Sequence, residues 1–503
     1  MAIPLIERAV GQGDRLAIEA IEGRFSYQRL LADSSGVAGS LLGGRSDLAE
    51  ARVAFLFPPS YAYAAVQWAI WRAGGVAVPL CTSHPPPELE YVIDDAEPEV
   101  LVALSDWAGR LGPIAEDRGL RLTTFEQLLA DSSVSAGAAL PEVEPRRRAM
   151  IVYTSGTTSR PKGVVFTHQT IQAQIESLVE AWEWRPDDKI LLTLPLHHVH
   201  GIINVLGCAL WSGARCEMLP GFDADDVWGR IEGSDLTLFM AVPTIFAKLI
   251  AAWERMSPDR QRSLSQACAG LRLMVSGSAA LPIPMFERWR EITGHTLLER
   301  YGMTEIGMAL SNPLHGQRLP GHVGLPLPGV EARRVDEAGE AVPAEAPGEI
   351  EVRGLGVFLE YWRQPPATRD AFRGDWFRTG DVAVVEQGSY RILGRRSVDI
   401  IKTGGYKVSA LEIEAVLCEH PSIRDCAVVG LADPEWGQRV GAAVILRAGT
   451  KLALEELRTW AKERLAAYKV PSRLLELEAL PRNAMGKVTK PALVELFATA
   501  DRT

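Results

Sequence analysis

A chain of 503 residues is longer than one hydrophobic core comfortably organises, so two or more domains are expected. Hydrophobic residues at 47% and charged residues at 23% are ordinary for a soluble globular protein, and a formal charge of −10 argues against nucleic acid or an anionic membrane as the main partner. Six cysteines with no C-x-x-C pair, an N-terminus without a signal-peptide pattern, and no uncharged apolar run near the ~18 residues of a membrane span point to a reduced protein of the cytoplasm.

From about residue 50 to 330, short apolar runs alternate with helical patterns. Val53 to Phe57 precedes a helix from Tyr61 to Arg72, and Val76 to Leu80 follows as a strand. Residues Asp131 to Pro145 are Ser/Ala/Pro-rich and read as an exposed connector. The run Ala149 to Tyr153 reads as a buried strand that opens into a loop. Leu236 to Val242 leads through Pro243 into an apolar helix ending near Trp253, and Leu271 to Val275 leads to Ser276-Gly277-Ser278. Repeated strand–loop–helix units predict an α/β fold with largely parallel sheets. After residue 395 the character changes. Ser409-Ala410-Leu411-Glu412 is a capping box opening a helix to about Leu417. Strands at Cys426 to Leu431 and Val440 to Leu446, a helix from Leu454 to Leu465 and a strand at Leu474 to Leu477 complete a compact α+β unit. The boundary falls in the polar stretch Arg395 to Asp399.

The loop Tyr153-Thr154-Ser155-Gly156-Thr157-Thr158-Ser159-Arg160-Pro161-Lys162-Gly163 concentrates hydroxyls, glycines and cations. Glycines let backbone N–H groups converge on an anion, hydroxyls add donors, and Lys162 adds charge, which suits a polyphosphate. The Walker A spacing is absent. This loop resembles the phosphate loop of the adenylate-forming superfamily, which includes acyl-CoA synthetases, luciferases and the adenylation domains of peptide synthetases. Further matching runs follow in the family's order: Tyr301-Gly302-Met303-Thr304-Glu305, Trp376 to Asp381, Gly394-Arg395, and Pro481-Arg482-Asn483-Ala484-Met485-Gly486-Lys487. Ser159 stands where the family usually has a third glycine. The resemblance implies a large N-terminal domain, residues 1–394, of stacked, largely parallel sheets with helices. A small hinged α+β C-terminal domain, residues 395–503, would complete the chain.

The same resemblance implies an enzyme that joins a carboxylic acid to CoA at the expense of ATP, with Mg²⁺ as cofactor and no carrier domain fused. Thr154, Ser155, Gly156, Thr157, Thr158 and Lys162 would hold the β- and γ-phosphates. Thr304 would bond the α-phosphate, with Tyr301 and Gly302 beside the nucleotide, and Glu305 would bind Mg²⁺ as a hard carboxylate ligand. Asp381, after Thr-Gly at a strand end, would accept the ribose hydroxyls with Arg395 as helper. Ser276, Gly277 and Ser278 resemble the adenine-binding segment. Gly404 and Gly405 resemble the glycine pair of the CoA tunnel, although a simple hairpin turn explains them too. Three histidines in four residues, His197, His198 and His200, invite a zinc site, but no thiol or carboxylate set follows at ligand spacing. By resemblance His198 lines the acyl and thiol tunnel and Val199 faces the acyl pocket, while His197 replaces the usual aromatic.

The acid pocket is expected between residues 197–201, 240–245 and 300–311, with Val199 and Met308 in its lining. Arg300 could offer a bidentate guanidinium to the second carboxylate of a short acid. This stretch resembles malonyl-CoA synthetases, especially the mitochondrial type. Methylmalonate, a short or medium monocarboxylic acid, and a purely structural ion pair for Arg300 stay open at this point, as does the choice between monomer and homodimer.

Lys487 is the residue that resemblance places between carboxylate and α-phosphate, and a compact ammonium suits an oxyanion that changes shape during displacement. Lys487→Ala is expected to abolish acyl-AMP formation, a loss of about 3 to 4 kcal/mol or on the order of a hundred- to a thousandfold. Thioester formation from supplied acyl-AMP should stay largely intact. Pyrophosphate release measures the first step, and near-normal release would remove Lys487 from this role.

Overall fold

The computed structural model describes residues 3–132, 139–154, 161–233, 235–396, 398–403, 406–482 and 488–500. These fall into two compact units. One comprises Met1–Arg318, Pro326–Glu331 and Arg353–Phe377, and the other Leu319–Leu325, Ala332–Val352 and Arg378–Thr503.

The first unit is α/β and holds two sheets. In one, strands follow the spatial order Gly307–Ser311, Leu298–Met303, Leu273–Ser276, Leu238–Ala241, Lys189–Leu192, Arg215–Met218, Leu16–Ala20 and Gly23–Ser26. All neighbours are parallel except the pairs at the two ends of this series. In the other, the order is Glu360–Tyr361, Lys162–Thr167, Arg148–Thr154, Val76–Pro79, Arg52–Leu56, Val100–Ala103 and Arg121–Thr124. Its parallel body ends in two antiparallel strands, Lys162–Thr167 and Glu360–Tyr361.

The strands are apolar because both faces of a parallel sheet are covered by helices. Helix Tyr61–Arg72 shows how complete that cover is: every residue from Tyr61 to Trp71 is buried. Ser60 caps it, its hydroxyl accepting from Tyr63 N. The helix and the strand after it lie where the sequence pattern put them. Strand Leu238–Ala241 is locked by an aromatic cluster on helices Ala224–Gly233, Pro243–Glu254 and Ile283–Thr293. Trp289 packs at ring distances of 5.8 Å from Trp228 and 4.8 Å from Phe246, and Phe246 sits 5.9 Å from Phe239. In the connector near residue 140 the exposed reading is corrected at one point. Val143 is buried and anchors the chain just before strand Arg148–Thr154, because a valine finding apolar cover gains more than a solvated one.

Strand Trp376–Glu386, which belongs to the second unit from Arg378 on, pairs with Gly348–Arg353 and Ser389–Arg395. A further sheet orders Tyr406–Ser409, Ile400–Thr403, Gly437–Leu446 and Ile423–Asp433, with Arg473–Glu476 parallel to Gly437–Leu446. Alternation along Ile423–Asp433 sends Cys426 and Val428 into one core with Ile413, Leu417 and Leu457, and Ala427 and Val429 into another with Leu493 and Phe497. The sheet is therefore covered on both faces. Ser409 caps helix Ala410–Leu417 as read, accepting from Glu412 N at 3.1 Å. The return arm of the expected capping box goes elsewhere: Glu412 pairs with Lys469 at 2.6 Å, a full charge being the better partner for a carboxylate.

Trp289→Ala should cost about 3 to 5 kcal/mol, the usual range for emptying a buried aromatic site, and Trp289→Phe distinctly less. The shift of the urea unfolding midpoint measures it. A loss under about 1 kcal/mol for Trp289→Ala would mean the cluster does not hold this sheet.

Candidate active site

Strands Arg148–Thr154 and Lys162–Thr167 form an antiparallel pair whose last register couple is Thr154↔Lys162. The phosphate-loop candidates Thr154 and Lys162 thus face each other at the mouth of a hairpin, while Ser155, Gly156, Thr157 and Thr158 lie outside the described residues. The mouth is fixed from several sides. Tyr91 donates to Pro161 O at 2.7 Å, Trp362 N donates to Gly163 O at 2.7 Å, and Tyr153 donates to Asp95 at 2.6 Å.

Glu305 lies in the turn of a second hairpin, between Leu298–Met303 and Gly307–Ser311. It is buried, and its Oε1 accepts from the Tyr361 hydroxyl at 2.8 Å. The ammonium of Lys162 sits 4.8 Å from the centre of the same Tyr361 ring. Tyr361 therefore joins the expected Mg²⁺ acid to the expected phosphate lysine. No motif pointed to this tyrosine, because only the pairing of Glu360–Tyr361 with Lys162–Thr167 brings it there. Gly302 is needed for the turn: a Cβ would fall 2.0 Å from Gly307 O and 2.8 Å from Met308 Cε. Met308 is thus placed beside Gly302 and is buried. Among the described residues no group of three or more His, Cys, Asp or Glu side chains could hold a metal. A single fixed carboxylate at Glu305 nevertheless fits Mg²⁺ that takes its other oxygens from phosphate and water.

Arg300 lies two residues before Gly302, wholly enclosed. Its guanidinium rests against Gly277, where a Cβ would come within 2.5 Å of Cζ, and its Nη2 is 3.5 Å from Ser278 Oγ. Nε and Nη1 find no acceptor among the described residues. Burial pushes the guanidinium down to about 9, so it stays cationic at neutral pH. Ser278 holds the left-handed conformation at φ 68°, uncommon for a serine, and its Oγ is 3.2 Å from His200 Nδ1. Burial first, then the nearby Arg300 charge, keep His200 well below the ordinary histidine value and hence neutral. The Ser276–Ser278 segment therefore packs on Arg300, and Ser276 is itself fully buried at the strand end. The neighbouring Glu299 accepts from Leu281 N at 2.9 Å, and burial raises its carboxyl to about 8.

Val199 is buried at the start of a π-helical segment, His200–Gly207. Before it, the rings of His197 and His198 lie 4.2 Å apart, and His84 approaches His197 at 6.3 Å. Burial, reinforced by its neighbours, holds His197 well below its ordinary value.

In the second unit Asp381 and Arg395 are register partners, with Arg395 Nε 3.1 Å from Asp381 Oδ1. Asp381 N donates to Thr379 Oγ1 at 3.0 Å. The strand-end reading of Asp381 is corrected: it lies midway along Trp376–Glu386, which continues because its partner strand continues opposite. Thr403 pairs with Tyr406, whereas Gly404 and Gly405 lie outside the described residues, as does Lys487. No helix among the described residues is long and apolar enough to cross a membrane.

The hairpin mouth at Thr154 and Lys162, the buried Glu305 bonded to Tyr361 and the enclosed Arg300 all belong to the first unit. Residues 5–362 match the AMP-binding enzyme family, and residues 412–487 match the AMP-binding enzyme C-terminal domain. The chain belongs to this family. It is 48% identical to a mitochondrial malonate–CoA ligase of Homo sapiens over 98% of the chain and 92% of that protein. It is 42% identical to a malonate–CoA ligase of Arabidopsis thaliana over 95% and 86%. The crystal structure of ATP-bound MatB from Rhodopseudomonas palustris matches with a TM-score of 0.89 at 35% identity, covering 99% of both chains.

Glu299 titrates near 8 in the fold but near 4.3 in an unfolded chain. Between those values the folded state keeps a proton that the unfolded state has lost, so its contribution to stability is full below about pH 4.3 and declines as pH rises to about 8. Glu299→Gln mimics the protonated acid and removes this dependence. The thermal midpoint of the variant relative to the parent should therefore rise between about pH 5 and 8 and then level off. A difference that does not change with pH would mean Glu299 is ionised in the fold.

Proposed function

We propose that this chain is an AMP-forming acid–CoA ligase that converts malonate, ATP and CoA to malonyl-CoA, AMP and diphosphate through malonyl-adenylate. The observation that carries the choice of acid is Arg300, a cation enclosed with Nε and Nη1 unpaired and no acceptor for them among the described residues. A guanidinium in that state costs several kcal/mol unless an anion answers it, and the far carboxylate of a short dicarboxylic acid is such an anion. Ser278 adds a hydroxyl beside it, held by neutral His200. The names of the human and Arabidopsis relatives agree with this reading.

The near carboxylate attacks the α-phosphate, and its oxygen displaces pyrophosphate. Thr154 and Lys162, with Ser155, Gly156, Thr157 and Thr158, are assigned to the leaving phosphates, and Thr304 to the α-phosphate. Glu305, steadied by Tyr361, would hold Mg²⁺, which supplies neutralising charge to the phosphates when bound. Asp381 with Arg395 takes the ribose. Lys487 enters between the reacting groups, and Tyr301, Gly302 and Ser276 to Ser278 border the nucleotide. CoA thiol then attacks the acyl carbon and AMP leaves, with His198, Gly404 and Gly405 assigned to the thiol path. Val199 and Met308 line the acyl pocket. In this scheme residues 1–394 and 395–503 act as the two domains, hinged at 395–399. All six cysteines are free thiols, in keeping with work in a reducing compartment such as the cytoplasm.

Arg300→Met should lower kcat/KM for malonate by about a hundredfold or more, equivalent to roughly 3 kcal/mol, chiefly through KM. Activity toward butyrate should fall much less. A pyrophosphate-release assay over a panel of acids, with and without CoA, measures both. Uniform loss across acids would make Arg300 a framework residue, and a parent enzyme that preferred butyrate would overturn malonate.

A further inference from the structure

The sequence carrying Lys487 is bounded by residues that the fold pins. Arg482 and Val488 pair as an isolated antiparallel bridge, Thr489 N donates to Pro481 O at 2.8 Å, and Arg482 Nη2 meets Asp425 Oδ2 at 2.8 Å. Helix Lys490–Ala500 begins immediately afterwards. Its first residue is buried, unusual for a lysine, and the Lys490 ammonium lies 2.6 Å from Asp399 Oδ1 and 2.8 Å from Glu414 Oε1.

The two acids reach different parts of the unit. Glu414 Oε1 also accepts from Val428 N at 2.7 Å, tying the lysine to strand Ile423–Asp433. Asp399 Oδ2 accepts from Arg395 N at 2.9 Å, and Arg395 is the residue paired with Asp381. Asp399 is admitted this closely because residue 394 is glycine, whose Cβ would otherwise stand 2.4 Å from Asp399 Cβ. Burial opposes the ammonium, but the two carboxylates outweigh it and hold Lys490 above its ordinary value, while burial also pushes the Glu414 carboxyl up. One buried cation thus links the ribose corner to the point where the Lys487 segment rejoins the fold.

We infer that Lys490 is a positioning residue for the adenylation step, setting through Asp399 the distance between the Asp381–Arg395 corner and the base of the Lys487 segment. The inference rests on the ligase reading above. Lys490 touches no substrate; its effect is geometric, and a misplacement of about 1 Å in a reacting group costs on the order of a hundredfold.

The test separates the half-reactions: ATP–pyrophosphate exchange driven by malonate for the first, and thioester formation from supplied malonyl-AMP and CoA for the second. Exchange by the unaltered chain tests the ligase reading on its own; should another carboxylic acid support exchange in place of malonate, the comparison is run with that acid. Lys490→Gln should lower the exchange kcat about tenfold or more while the KM values for ATP and acid move by no more than about twofold. Thioester formation should stay within about threefold of the parent, and Lys490→Arg should recover most of the exchange. If circular dichroism shows Lys490→Gln unfolded, Asp399→Asn, which leaves the Lys490–Glu414 pair in place, must show the same split. Equal loss of both half-reactions, or unchanged exchange in a folded variant, overturns the inference.

Discussion

The enclosed guanidinium of Arg300, with Nε and Nη1 unanswered among the described residues, is the constraint around which its neighbours are organised. Strand geometry sends adjacent residues to opposite faces, and the attraction between Glu299 and Arg300 is outweighed by the burial of both. It turns instead to Leu281 N and keeps its proton. Among the described residues, those set against the guanidinium are small or neutral: Gly277, Ser278 and a histidine held neutral by burial. Any of these replaced by a carboxylate would silence the cation. An enclosed cation of this kind is costly while nothing answers it, and an anion that reached it would relieve that cost.

Glu305, Lys162, Lys490 and Arg395 are treated in the opposite way, each tied to a partner that orients it. Tyr361 stands between Glu305 and Lys162, donating to the acid through its hydroxyl and facing the lysine with its ring. Two carboxylates hold Lys490, and Asp381 holds Arg395. Side chains oriented in this way before any ligand arrives have little reorganisation left to make. With a net charge of −10, the protein cannot rely on its overall field to gather anionic substrates, and local placement does that work.

Much of this was legible before any coordinates. Strand and helix placement at residues 53–80 followed from apolar periodicity, and the α+β character beyond residue 395 from alternation and the Ser409 cap. The hydroxyl- and glycine-rich loop and the downstream motifs identified the class of chemistry. Short-range physics suffices for such features, because periodicity, capping and turn chemistry involve residues within a few positions of each other.

What the sequence by itself determined, then, was the alternating α/β architecture, the enzyme class and the candidates for its chemically active residues. Only the tertiary structure decided which of them meet. Tyr361 reaches Glu305 across 56 residues, Ser278 reaches His200 across 78, and Lys490 finds Asp399 and Glu414 from the far end of the chain. It also decided protonation: Glu299 and Arg300 are ordinary ionisable residues in the sequence, and burial, outweighing their mutual attraction, moves them to about 8 and about 9. Burial and long-range pairing are properties of the packed chain, where desolvation and strand register act between residues that no local pattern connects.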